Sequence, residues 1–401
     1  MSQNESLLVI NAGSSSLKFQ VFNVHENRPE LAWRGLISCI GLPTAHFRVC
    51  DHTGAVVLDR ALVPSEARDL SAAQTVLADW LRDTLPKSPF AVGHRIVHGG
   101  PDYATAVLVD DQVLDTLDGL VLLAPLHQRN NLAPVHVLRE RRPDIPQVAC
   151  FDTAFHRSHS PLVDRFALPA RFLEKGVRRY GFHGLSYHYI STYMQEHLPE
   201  VVKGRVVVAH LGSGASACAM VNGVGVETTM GFTALDGLPM STRPGTLDPG
   251  VVLWMLEQGM SHDEIQRVLY TESGLKGLSG ISGDVRDLLA SSEPAAKMAL
   301  DYFTYRSAMA IAGLCVSMKG LDTLVFTAGI GENSPEIRAG ICGHLAWLGI
   351  DLDPELNQAN ADCITRPGSR IAVRVIATNE ELVIARQTLA CLEQAQIMVA
   401  D

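Results

Sequence analysis

LLVINAGSSSLKFQVF, residues 7–22, carries two alternating apolar runs on either side of Asn11-Ala12-Gly13-Ser14-Ser15-Ser16. The alternation predicts two strands, and the small residues between them predict a hairpin turn. A two-residue turn needs only residues able to reach positive φ. A glycine followed by three serines offers more open backbone and more small hydroxyls than that geometry requires. The same pattern returns in GRVVVAHLGSGASACAMVNG, residues 204–223, as strand, small-residue turn, strand and then Asn222-Gly223. Placing Gly13 on Gly212 aligns Val9 with Val208, Ser14 with Ser213 and Asn23 with Asn222. An offset of about half the chain predicts two halves of related architecture.

The rest of the chain agrees with an α/β protein of two domains. At 401 residues it exceeds one ordinary core, and 47% hydrophobic with 19% charged residues is the composition of a compact fold. A net charge of −10 offers no basic footprint for a nucleic acid or an anionic membrane, so anionic ligands must be held by local arginines, lysines or backbone amides. The eight cysteines are scattered through apolar runs without a C-x-x-C pair, as buried thiols of a reducing compartment would be. The N-terminal stretch lacks a basic, then apolar, leader pattern, and no run of about 20 apolar residues occurs; a cytoplasmic location is expected. Helices are expected at 71–84, with Ser71 as N-cap, and at 185–197, 249–258, 297–319 and 380–396.

Three phosphate-binding readings compete for the glycine-rich turns. A Walker A loop requires Gly-Lys, a dipeptide that this sequence lacks. A dinucleotide turn is matched formally by Gly212-x-Gly214-x-x-Ala217, but that motif must open a helix, and ASACAMV-NG-VGVETT reads as a hairpin. A third junction, DTLVFTAGIGENSPEIR, reads as strand, loop 329–333 and then a helix with Pro335 in its first turn. Two strand–turn–strand clasps plus one strand–GxG–helix junction resemble the actin, Hsp70 and sugar kinase superfamily. That layout implies two duplicated ribonuclease H-like domains with an interdomain active-site cleft. NAGSSSLK then supplies half of a phosphate clasp, through the Gly13 backbone, Ser14, Ser16 and Lys18, whose ammonium alternates with Leu17 and Phe19.

The resemblance narrows with NAGSSSLKF, GHRIVHGG (93–100), APLHQRN (124–130), FDTAFH (151–156), RRYGFHG (178–184), HLGSGAS (210–216), TRPGTLDPG (242–250), GLSGISGDVRD (277–287), TAGIGEN (327–333) and TNEEL (378–382). Together these are similar to the acetokinase family over nearly the whole chain. The resemblance implies reversible transfer of the ATP γ-phosphoryl group to acetate, giving acetyl phosphate and ADP by direct in-line transfer. Two alternatives are a propionate kinase and an actin- or chaperone-like ATPase, the latter leaving Arg95, Arg243 and His183 without a purpose. The implied catalytic residues are Asp152, His183 and Arg243. By the same resemblance Arg95 contacts the substrate, and its apolar strand demands a partner for the charge. The resemblance also implies His127 in the active site and Val97, Leu126, Phe182 and Ala234 lining the acyl pocket.

A carboxylic acid substrate is already ionised at neutral pH, so no base is needed; Asp152 is read as orienting Arg95 or the metal's water shell. The resemblance implies Mg²⁺, with Mn²⁺ as a substitute, on Asn11 and Glu380. It also implies ATP on Lys18, His210, Leu211, Gly212, Ser213, Gly214, Asp284, Val285, Arg286, Gly329, Ile330, Gly331, Glu332 and Asn333. The implied division is 1–152, completed by a helix at 384–401, and a nucleotide-binding domain at 153–383. A homodimer is expected by the same route. Ser213, Ser241, Pro244-Gly245-Thr246 and Ala234 depart from the family's more common Asn, Gly, Ser-Gly-Asp and Pro.

Overall fold

The computed structural model describes residues 5–124 and 127–399. Contacts divide them into one unit of 5–155 with 379–399 and another of 156–378. In the first unit the strands are β1 (Glu5–Ala12), β2 (Leu17–His25), β3 (Arg28–Ser38), β4 (His46–Asp51), β5 (Val56–Ala61), β6 (Ala91–Ile96), β7 (Val107–Leu108) and β8 (Gln147–Phe151). They form one sheet in the order β5-β4-β3-β2-β1-β6-β8-β7. β1 is buried along nearly its whole length because it lies centrally, antiparallel to β2 and parallel to β6. β2 alternates buried and open positions up to a register shift at Val21/Phe22. Helix Leu70–Thr84 closes a core of Phe19, Phe47 and Val76, and the C-terminal helix, starting at Glu380, packs on β1, β6 and β8. Its approach is close: a Cβ on Gly93 would fall 2.4 Å from Thr388 Oγ1.

The second unit contains β9 (Arg205–Leu211), β10 (Ala215–Val221), β11 (Val224–Thr228), β12 (Thr323–Thr327) and β13 (Ala372–Val375), ordered β11-β10-β9-β12-β13. Here β9 is antiparallel to β10 and parallel to β12. The pattern repeats β3-β2-β1-β6-β8 strand for strand: two antiparallel hairpin partners on one side of the first strand, two parallel strands on the other. The small-residue turns at 13–16 and 212–214 occupy equivalent places, each between the first and second strands. This is the duplicated α/β architecture that the sequence suggested.

Local details differ from expectation in three places. Helix Leu70–Thr84 is capped by Asp69, whose carboxylate accepts from Ala72 N–H at 2.8 Å, and not by Ser71; the carboxylate is the stronger acceptor and the cap falls two residues earlier. Residues 329–333 are not a loop but part of a short helix, Ala328–Asn333, followed by helix Pro335–His344 with Pro335 at its first position. All eight cysteines are free, but only Cys150, Cys218 and Cys342 are buried. Cys39, Cys50, Cys315, Cys363 and Cys391 are half-buried, since apolar neighbours in sequence do not fix the face on which a thiol falls. No helix among the described residues is long and apolar enough to cross a membrane.

Candidate active site

In the first unit, parallel pairing delivers the charged groups to one end of the sheet. β6 pairs with β8 as Arg95↔Cys150 and Ile96↔Phe151, and Asp152 N–H bonds to Ile96 O just beyond. The buried Asp152 carboxylate receives Arg95 Nε at 3.1 Å and Nη2 at 2.6 Å, a two-point fork that fixes the guanidinium plane. Arg95 Nη1 donates to Asn11 Oδ1 at 3.2 Å from the end of β1, and Glu380 Oε2 lies 3.9 Å from Nε. Burial opposes the Arg95 charge, but Asp152 and Glu380 outweigh it and hold the guanidinium above the usual arginine value. Burial lifts the Glu380 carboxyl to about 7 against the pull of Arg95, and Asp152 and Glu381 push it the same way.

Around this group, Val97 N–H donates to Asn131 Oδ1, and Asn131 Nδ2 donates to Ala12 O. Asn131 thereby pins the strand carrying Arg95 to the end of β1. His127 stands immediately before helix Gln128–Arg141, Val97 is buried, and Lys18 is exposed opposite Asn11 across the hairpin. Leu126 lies outside the described residues. Gly13 N–H bonds to Ser16 O at 2.8 Å, which closes the turn and leaves Ser14 exposed.

In the second unit the turn between β9 and β10 is closed by Gly212 N–H to Gly214 O at 3.0 Å. A Cβ on Gly214 would lie 2.8 Å from Arg243 Nη2 and 3.2 Å from His183 Nε2, so only glycine lets both side chains lie this close to the turn backbone. His183 has φ +59° and precedes helix Gly184–His197. Its ring stacks on His210 at 4.1 Å, and His210 Nδ1 is 2.8 Å from Ser186 Oγ. Arg243 Nη1 donates to Ala234 O at 2.7 Å; burial depresses its pKa, with Tyr270 acting the other way, and no ion-pair partner stands near it among the described residues. Phe182 is buried, and its carbonyl is 2.9 Å from His156 Nε2.

Beside the turn, a cavity of about 670 Å³ is lined by Gly212, Ser213, Ser241, 283–286, Leu289, Gly329, Ile330, Asn333, Ser334 and Glu336. Four segments separated in sequence therefore meet there. Asp284 caps the short helix Val285–Ala290 and forks with Arg286, while Ser241 N–H holds Ser213 O. Leu211 is core, and Gly331 and Glu332 do not line the cavity. Glu332 Oε1 instead accepts Ala328 N–H at 2.8 Å and Thr378 N–H at 3.1 Å, bracing the junction from within.

A model of the acetokinase family matches residues 6–386. This chain belongs to the acetokinase family. The acetokinase is 53% identical over 390 residues to the acetate kinase of Nitrobacter hamburgensis, covering 97% of this chain and 96% of the relative. It is 50% identical over 390 residues to that of Rhizobium meliloti, covering 97% and 98%. Among solved structures, a propionate kinase from Francisella tularensis superposes with TM-score 0.89 at 34% identity, covering 96% and 99%. The acetate kinase of Porphyromonas gingivalis gives 0.84 at 33%, covering 97% and 100%. Asn131, Ser186, Ser216, Tyr187 and Arg338 of the acetokinase escaped the sequence reading. Ser216 and Arg338 stood in quoted stretches, HLGSGAS and DTLVFTAGIGENSPEIR, but nothing local marked their partners, and Asn131, Ser186 and Tyr187 bond to distant segments.

Proposed function

We propose that this acetokinase transfers the γ-phosphoryl group of ATP to acetate, reversibly, giving acetyl phosphate and ADP by in-line displacement. The observation that carries this reading is Arg243: a guanidinium drawn out of water without a carboxylate near it, aimed with His183 Nε2 over a glycine turn that borders the 670 Å³ cavity. Such a cation is ready for an anion. Phosphoryl transfer asks mainly for alignment and for charge around the equatorial oxygens. Arg243 and His183 serve those oxygens, and the glycine turn, 284–286 and the Ala328–Asn333 segment take the nucleotide. Arg95, its plane fixed by Asp152, holds the acetate carboxylate, which attacks already ionised. Asp152 is thus an orienting group and not a base, with Val97, Phe182, Ala234, Leu126 and His127 completing the acyl side.

Asn11 and Glu380 offer hard oxygen donors, and Glu380 is a carboxyl whose charged form burial disfavours, lifting it to about 7, a condition that an added cation relieves. They would hold Mg²⁺, or Mn²⁺ in its place. When bound, the ion supplies charge to the phosphate oxygens. The absence of disulfides among eight cysteines supports a cytoplasmic setting. A homodimer belongs to the same reading: helix Pro294–Met318 exposes Met298, Tyr302, Tyr305, Met309 and Val316 along one stripe at heptad spacing.

The test is ADP formation and acyl hydroxamate trapping with Mg-ATP and acetate, propionate and butyrate side by side. Acetate is expected to give the highest kcat/KM. One methylene changes the pocket energy by only about 1–3 kcal/mol, so propionate should be slower but accepted. No acetate-dependent signal would overturn the reading, and a higher kcat/KM for propionate would select a propionate kinase.

A further inference from the structure

His183 can present either a proton or a lone pair from Nε2, and only the proton suits an anionic oxygen. Which it presents depends on what Nδ1 does. His183 Nδ1 lies 2.8 Å from Ser216 Oγ, and Ser216 Oγ lies 2.5 Å from the phenol oxygen of Tyr187. Ser216 is fully buried on β10, opposite His210 on β9. Tyr187 is one turn along the helix that His183 precedes, so one side chain from the sheet meets two from the same helix face.

We propose that Tyr187 and Ser216 are positioning residues that form a one-way hydrogen-bond relay and fix His183 as the neutral tautomer with its proton on Nε2. The direction follows from acidity. A phenol is a stronger donor than an aliphatic alcohol, so in the short contact Tyr187 O–H donates and Ser216 Oγ accepts. Burial keeps the phenol protonated by raising its pKa further. With that lone pair engaged, the Ser216 hydrogen goes to His183 Nδ1, which must then carry a lone pair. Nε2 keeps the proton, and Nε2 is the atom that faces Gly214 beside Arg243 Nη2. Stacking on His210 at 20° between ring planes holds the ring in this plane. The histidine thus donates without needing to be an imidazolium. The relay deepens the assignment of His183 to the phosphoryl group and rests on it.

The experiment uses the full chain, ¹⁵N-labelled at histidine, with Tyr187→Phe, Ser216→Ala and Ser216→Thr. Long-range ¹H–¹⁵N correlation of the wild type is expected to show His183 with a protonated Nε2 and a bare Nδ1. Ser216→Ala and Tyr187→Phe should shift it towards the other tautomer, while Ser216→Thr, which keeps a hydroxyl, restores it. In parallel, kcat for acetyl phosphate formation should fall about 10- to 100-fold in Ser216→Ala, with both KM values nearly unchanged, and recover in Ser216→Thr. A wild-type spectrum with the proton on Nδ1 overturns the relay, as does an Nε2–H signal that persists in both disrupting variants. The spectrum is read without turnover, so it stands even if acetate proves not to be the substrate. Full kcat in a variant whose tautomer has switched overturns the catalytic purpose given to the relay.

Discussion

In the proposed reaction Asp152 is a carboxylate that orients, because the nucleophile needs no base. Its two oxygens receive Nε and Nη2 of Arg95 and leave Nη1 to Asn11, so the guanidinium can turn only as a unit with the sheet end that carries it. Asp152→Asn removes the charge and one acceptor from a buried pair. Kinetics of acyl phosphate formation should show kcat/KM for acetate down by about 100-fold. Urea unfolding should show a loss of about 3 kcal/mol, because Arg95 is left under-compensated. An unchanged KM for acetate would separate Asp152 from the carboxylate side of the site. That Arg95 needs a partner for its charge was legible in the sequence, from the apolar setting of its strand, and Asp152 is that partner. The Tyr187–Ser216–His183 chain was not legible, since a strand serine gives no sign of which helix will be laid against it.

The short helix Ala328–Asn333 is braced by two side chains, Glu332 of its own last turn and Arg338 of the next helix. Two glycines and an asparagine in AGIGEN argue for a loop, and Ala328 adopts φ +65°, costly for a residue with a Cβ. Glu332 ties Ala328 N–H to Thr378 N–H, 46 positions away. At the other end the fully buried Arg338 donates to Gly331 O at 2.9 Å and Glu332 O at 3.0 Å, and its remaining donors go to Asn357 and Asn360. Five neutral acceptors hold one cation whose pKa burial depresses. The segment that borders the cavity is therefore set from beneath, by contacts that no local pattern encodes, whereas the two hairpins were legible because their period-two alternation is intrinsic to strands. Arg338→Met should lower unfolding stability by about 3 kcal/mol or more, since several buried carbonyls lose their donor. It should also raise KM for ATP well beyond any change in KM for acetate, with Arg338→Lys recovering part of each. Equal rises in the two KM values would remove the segment-specific role.

Across the molecule, buried titratable groups divide the units by their response to acid. Burial pulls His94 to about 4 in the first unit, and pulls His156 to about 3 and His159 to about 4 in the second, from a usual value of 6.5. The unfolded chain binds protons there that the folded chain refuses, so stability present above 6.5 is lost as pH falls towards the folded values. Glu380 in the first unit acts oppositely: raised from 4.5 to about 7, it is protonated only when folded across that window, and stability from it grows as pH falls. His94 and Glu380 roughly cancel in the first unit, while the second loses up to about 3 kcal/mol per pH unit, offset in part by Glu227, whose carboxyl burial pushes up. Hydrogen exchange followed from about pH 7 to about pH 5 without metal should show protection failing first in 156–378. Simultaneous loss in both units would contradict this. The duplication was legible only as a few shared residues about the two turns; the matching strand order emerges from pairing across each sheet. The first unit also needs chain from both sides of the second, with Ile384, Ala385 and Thr388 fully buried against it. A ribosome makes 156–378 as one uninterrupted stretch and delivers 379–399 only after it. The later-encoded unit can therefore fold first, and the strands of the first unit wait for 379–399, with Arg95 lacking Glu380 until that segment has been made.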